Sequence, residues 1–283
     1  MSDHNPKIPT STEKSPLVDE KEIFAELAGR EGTTLFLGRY SVNEVFAILG
    51  RKNFFKEAKK RKLGPLTFDL DSSAFPLQRF QIFHREKKPE NLIVDLKIKE
   101  GIFLPREKGL SEIRLTEVKC LIFEWLTLQN PILQFSESQT PLPGQLHPGL
   151  NLSKKVMDIF VYLGKFTGKD CLLAFPAYFH NAVLFLRYFH FLNPEKEGEV
   201  LAIRKSFSHI PLKQLAWIIH LNCLRQNGDR SYEWKAEEQV RALTRPLKEY
   251  FDSKAYKEKV KKIQPQFRFT IDWDRYNKNK PFK

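Results

Sequence analysis

Cysteine is scarce and unpatterned in this chain. Only Cys120, Cys171 and Cys223 occur, an odd number, far apart and each in apolar surroundings. Buried free thiols are expected, and the absence of any Cys-x-x-Cys pair removes the usual zinc and redox signatures. Long apolar runs are also lacking. No stretch reaches the roughly 18 apolar residues a spanning helix needs. Met1–Thr10 has no apolar core of the kind a signal peptide carries, so a soluble cytoplasmic protein without a transmembrane segment is the expectation. No Gly-x-Ser-x-Gly, Walker phosphate loop or dinucleotide fingerprint occurs, and no internal repeat is detectable.

What the chain does have points to a globular protein. Its 283 residues suffice for one large domain or two modest ones, and 41% of them are apolar. With 24 phenylalanines the core is expected to be Phe-rich. The formal charge is +13, from 47 basic and 34 acidic side chains, which favours anionic partners: nucleotides, coenzymes, nucleic acid or a membrane surface. The excess is clustered at 51–62, where seven basic residues face one Glu, and again across 254–283. Such clusters are solvated helix faces unless they converge on one surface, in which case they could bind nucleic acid.

Residues 1–18 are polar and without period, and read as a disordered tail. Glu20–Gly29 has helical spacing and Thr33–Tyr40 reads as a strand. Ser41 and Glu44 form a capping-box pattern before a helix expected to carry Val45, Ile48, Leu49 and Phe55 to about Gly64-Pro65. Leu66–Leu70, Arg79–His84, Leu92–Phe103 and Val118–Leu128 read as strands, the middle pair a hairpin. Ser153–Lys165 is a helix stopped at Gly168, Cys171–Phe175 a buried strand closed by Pro176, and His180/Asn181 the expected cap of the next helix. Beyond Pro194, Glu197–Ser208, Leu212–Arg225 and Glu233–Phe251 have helical periods and no convincing strand. Thr244 and Pro246 mark a kink or a fresh helix start. The expected organisation is a tail (1–18), an α/β domain (19–194) and a helical C-terminal extension with a basic tail (195–283).

The chemistry concentrates in Pro141–Asn193. A loop holding Gly144, Gln145, Gly149 and Asn151 runs into a helix, leaving backbone N–H groups free at its N-terminus. That arrangement suits phosphate or pyrophosphate, because unpaired donors and the helix dipole act together. His147 is either a polar turn residue or a ligand contact, and His180 either a helix cap or a catalyst. The two histidines raise the possibility of a metal-dependent hydrolase, but no third ligand stands at a recognisable spacing. Trp125 and Trp217 read as core. The carboxylate pairs Asp69/Asp71 and Asp272/Asp274 read as surface groups.

The order strand, helix, hairpin, long strand, Gly loop, helix, strand, helix resembles the GNAT superfamily of N-acetyltransferases. In that family a Gln/Arg-x-x-Gly-x-Gly/Ala loop holds the coenzyme A pyrophosphate. The matching stretch here is Leu146-His147-Pro148-Gly149-Leu150-Asn151, with Gln145 one residue before the leading position and Asn151 in place of the closing Gly/Ala. Asn181 and Tyr188 stand at the family's Asn-to-Tyr spacing, where the Tyr can protonate the departing thiolate. Tyr188 is equally open to a reading as a core aromatic.

The resemblance implies a mixed, mostly antiparallel α/β sheet of about six strands flanked by helices. It also implies acyl transfer from acetyl-coenzyme A, or another acyl-coenzyme A, to a small-molecule or protein amine. Cofactor contacts would come from Gln145, His147, Gly149, Leu150, Asn151, Leu152 and Asn181. Tyr188 would be the acid, and strand geometry makes Glu124 the candidate base, with Phe123 and Trp125 pointing the opposite way. The alternative is a non-catalytic interaction protein with a degenerate transferase fold and a basic surface for nucleic acid or an acidic partner.

Overall fold

The computed structural model describes residues 35–136, 139–228 and 230–281. The expected tail, the helix over Glu20–Gly29 and the start of the strand over Thr33–Tyr40 lie outside them. Within them, 35–40 is a tight turn rather than a strand. Leu37 (φ 52°) and Gly38 (φ 66°) are both left-handed, and the Phe36 and Tyr40 amides bond back across the reversal at 2.7 and 2.9 Å. Two successive left-handed residues reverse the chain and leave no room for an extended run.

Helix α1 (Val42–Arg51) opens on the expected capping box. The Ser41 side chain accepts from the Glu44 amide at 3.3 Å, and the Glu44 carboxylate accepts from the Ser41 amide at 2.8 Å. The helix does not run on to Gly64. It breaks at Asn53 (φ 59°), and α2 (Phe54–Lys60) starts afresh, burying Phe54 and Ala58. Asparagine takes left-handed geometry at low cost, so the chain turns there while keeping its apolar side inward.

Four strands follow in antiparallel order: β1 (Leu66–Asp71), β2 (Gln78–His84), β3 (Leu92–Phe103) and β4 (Val118–Leu128). Helix α3 (Ser153–Phe166) then crosses over to β5 (Cys171–Ala174), which pairs parallel to β4. A parallel partner requires such a crossover. Gly168 (φ 67°) ends α3 as expected, its amide bonding the Lys165 carbonyl while the Lys169 amide bonds that of Gly164. Alternation along the paired strands splits two cores. Leu121, Phe123 and Leu172 join α1 to α3 on one face, and Cys120, Ile122, Cys171 and Leu173 face the other.

The C-terminal third begins with α4 (Phe179–Phe185), β6 (His190–Phe191), α5 (Pro194–Ser206) and α6 (Leu212–His220). It goes on through β7 (Leu224–Gln226), β8 (Arg230–Ser231), β9 (Gln239–Ala242), α7 (Arg245–Asp252), α8 (Lys254–Ile263), β10 (Phe269–Ile271) and α9 (Trp273–Asn279). Thus the helix expected over Leu212–Arg225 stops at His220 and the one over Glu233–Phe251 is not continuous. Strand β9 enters the main sheet between β5 and β6, giving the order β1-β2-β3-β4-β5-β9-β6 among the described residues. Val240 is fully buried there. Cross-strand pairing overrides the local helical period at this segment. Thr244 and Pro246 do start a new helix. Strands β10, β7 and β8 form a small second sheet over the cluster around Leu215, Ile218 and Cys223. The whole is a mixed α/β fold with a seven-stranded, mostly antiparallel sheet, flanking helices and further helices at its C-terminal end.

Candidate functional site

The site begins with one extra residue in β4. Across the β3–β4 ladder Lys97 faces Trp125 and Ile98 faces Phe123, so Glu124 has no partner and forms a bulge. A bulge bends the strand and shifts its alternation by one. Accordingly Leu121 and Phe123 point to the first core before it, and Leu126 and Leu128 do so after it. The simple alternation expected around Glu124 therefore fails. Lys99 reaches the Glu124 carboxylate at 2.8 Å, and both side chains are largely shielded from solvent.

Beside the bulge the parallel pairing stops. Along β4, strand β5 pairs with Cys120–Phe123 and ends at Ala174, whereas β4 continues to Leu128. The glycine loop docks at the far end of β4. Gln129 bridges to Gly149, the Asn130 amide donates to Pro148 O at 2.7 Å, and the Leu150 amide reaches Leu128 O at 3.4 Å. Between β4, this loop, the first turn of α3 and α4 lies a cavity of about 350 Å³.

Most of the residues singled out from the sequence meet in that cavity. Glu124, Gln145, His147 and Asn181 line it, and so does the backbone stretch Gly149, Leu150, Asn151 and Leu152. Tyr188 is not among its lining residues. Helix α4 ends at Phe185, so the offset from Asn181 to Tyr188 does not run along one helix. Tyr188 instead packs partly buried against the first core, and its carbonyl accepts from Arg241 at 3.0 Å. His180 and Asn181 do not cap α4 either. The cap position is Tyr178, without a side-chain hydrogen bond, and His180 lies inside the helix.

Loop geometry assigns different tasks to the two glycines. Gly144 (φ 78°) sits under Tyr178, whose hydroxyl would lie 2.6 Å from an added Cβ. Gly149 is not left-handed, and a Cβ there would meet only Leu128 O at 3.8 Å. The left-handed residue before α3 is Asn151 (φ 54°). The cap position of α3 is Leu152, which provides no side-chain hydrogen bond, so the first-turn amides are not taken by a capping side chain. Arg61 braces the approach by donating to Leu150 O at 2.8 Å. Gln145 is used within the loop, its carbonyl oxygen accepting from the Leu142 amide at 2.9 Å. The Nδ1 of His147 lies 3.4 Å from Leu133 O.

Tyr178, which lines the cavity, and His220, which lies behind it, carried no clear signal in the sequence. The Tyr178 and His180 rings stack at 5.4 Å with planes 22° apart, and His220 lies 5.9 Å from Tyr178. His180 is 3% exposed, and its Nδ1 is buried with no hydrogen-bond partner. Burial, and after it the charge of His220, hold His180 down to about 4. Burial alone pushes the Tyr178 hydroxyl up and His220 down. Trp217 packs on His220 at 5.5 Å and donates from Nε1 to Pro141 O at 2.8 Å, tying α6 to the glycine loop. The sequence signal was faint: a tyrosine and a histidine two apart, and a tryptophan and a histidine three apart on a distant helix.

No family model and no curated protein matches the chain. Among the described residues no group of three or more His, Cys, Asp or Glu is gathered as a metal centre would need. None of their helices is long and apolar enough to cross a membrane. The three cysteines are free and buried. Arg51 and Lys52 of the first cluster adjoin Lys154, Lys155 and Lys165 of α3 around an open groove of about 660 Å³, which Asp158 also lines. Helix α8, which carries much of the second basic cluster, packs Tyr256 and Val260 into the core on the opposite face of the sheet. The sheet therefore separates the first cluster from α8.

Proposed function

We propose that this chain is a cytoplasmic, coenzyme A-dependent acyltransferase acting on an amine. The observation that carries the reading is the end of the parallel β4–β5 pairing next to a bulge. A cavity lies there, directly beside a loop and a 14-residue helix without a side-chain cap. A cavity of about 350 Å³ lies within the range of ligand sites, and its walls are mainly apolar. In this reading the pyrophosphate sits at the first-turn amides of α3 and the backbone of Gly149–Leu152. The dipole and unpaired donors favour negative charge there. The thioester enters between β4 and β5, where backbone N–H groups of the two strands would hold the oxyanion. The amine nitrogen attacks the thioester carbon, the carbon–sulfur bond breaks, and the thiolate leaves and takes a proton.

The competing reading is a binding module without catalysis. Two observations favour it: Asn151 stands where the resembled loop closes on Gly or Ala, and Tyr188 is away from the cavity. Thermal unfolding with coenzyme A and acetyl-coenzyme A separates the two. A ligand at 100 times its dissociation constant adds about 2.7 kcal/mol of stability, seen as a rise in melting temperature. No shift at millimolar ligand would overturn the acyltransferase reading. A shift without acyl transfer would leave the binding module.

A further inference from the structure

The two side chains expected to move protons are poorly placed for it: Glu124 is held by Lys99 at 2.8 Å, and Tyr188 lies outside the cavity. The cavity wall holds another candidate. The large majority of buried side-chain polar atoms have a hydrogen-bond partner, but the Nδ1 of His180 is sealed without one. Its ring lines the cavity, stacked on Tyr178. With Nδ1 sealed, Nε2 is the nitrogen left to meet a ligand.

We propose that His180 is the catalytic proton carrier of the acyl transfer, with Tyr178 positioning its ring. The proposal rests on the acyltransferase reading above. As the amine lone pair forms the new carbon–nitrogen bond, the nitrogen's proton passes to Nε2 of His180. The carbon–sulfur bond breaks with its electron pair on sulfur, and the imidazolium returns the proton to the thiolate. Amine and thioester become amide and thiol, and the histidine ends neutral. The environment suits the second half of this cycle best. An imidazolium buried beside His220 gives up its proton readily, and the ring is neutral at physiological pH. The titratable groups facing it are Tyr178 from the chain before α4 and His220 from α6. This limits the acceptor to amines that reach the cavity uncharged or lose a proton on entry, since an ammonium has no lone pair to attack with and a base held this weak does not deprotonate it.

The experiment uses the full chain, acetyl-coenzyme A and three primary amines (hexylamine, phenethylamine and a lysyl tripeptide), following thiol release. Binding of acetyl-coenzyme A is measured by calorimetry in parallel. His180→Gln should lower kcat by about 10²–10⁴-fold, as for a lost acid–base group, without changing acetyl-coenzyme A affinity. Added imidazole should restore part of the rate in His180→Gly. His220→Gln removes the charge that adds to burial in holding His180 down, so the acid limb of kcat/KM should move to higher pH by the smaller part of the shift. A folded His180→Gln that binds acetyl-coenzyme A and keeps its rate overturns the assignment. Should that variant not fold, a folded His180→Asn that binds acetyl-coenzyme A and keeps its rate overturns it instead. Wild-type protein that binds acetyl-coenzyme A but releases no thiol with any of the amines also overturns it, while leaving the cofactor site standing. No binding of acetyl-coenzyme A removes the acyltransferase reading and the inference together.

Discussion

Gly144 and Gly149 look alike in the sequence, and only three-dimensional context tells them apart. Gly144 combines a left-handed backbone with a Cβ direction blocked by Tyr178. Gly144→Ala should cost about 1–3 kcal/mol, from backbone strain and displacement of the tyrosine. Gly149→Ala meets nothing closer than ordinary contact and should be within about 0.5 kcal/mol of the wild type. Urea unfolding of the two variants checks the pair; equal losses would show that the loop is held differently. His180 supplies a second residue-scale prediction. Its folded-state value of about 4 lies below the usual 6.5, so the unfolded chain binds the proton first as pH falls. The contribution is fully present above about pH 6.5 and is lost on acidification through 4, amounting to about 3 kcal/mol. His180→Gln should flatten that part of the stability–pH curve. A slope unchanged between pH 6.5 and 4 would mean that other groups carry it.

Helices α5 and α8 are tightly apposed at Gly198. A Cβ there would stand 1.8 Å from the Cγ2 of Ile263 and 2.8 Å from the carbonyl of Val260. Because one neighbour is backbone, Gly198→Ala must push the helices apart, at about 1–3 kcal/mol or more despite alanine's better helix propensity. A melting temperature at or above the wild type would show that the contact yields freely. Elements set by local chemistry were legible in the sequence. The box Ser41/Glu44, the two long strands Leu92–Phe103 and Val118–Leu128, and the stop at Gly168 all carry their signals within a few residues. Elements set by distant partners were not. The bulge at Glu124 exists only in register with β3, and β9 is a strand because β5 and β6 flank it. The candidate site was legible in the same proportion. Its loop residues came from local turn chemistry, whereas Tyr188 was placed by an offset that assumes a helix longer than α4. Tyr178 and His220 meet only through tertiary folding.

Across the whole molecule the last third of the chain completes the central sheet. Strand β9 covers the edge of β5 with four paired residues, from Cys171↔Ala242 to Ala174↔Gln239. Helices α7 and α8 close the core over Cys120, Ile122 and Cys171. A chain ending after residue 194 should therefore not fold cooperatively, since it loses that strand and one of its two sheet-facing cores. Circular dichroism with a thermal scan tests this; a sharp unfolding transition in the fragment would show that β1 to β6 suffice. The same order of strands has a consequence during synthesis. Strand β5 leaves the ribosome roughly 70 residues before its antiparallel neighbour, which at typical elongation rates means about 4–14 s with an apolar hydrogen-bonding edge open to other chains. Variants that slow translation between residues 174 and 242 should raise the aggregated fraction of the newly made protein, even though the finished molecule would be identical.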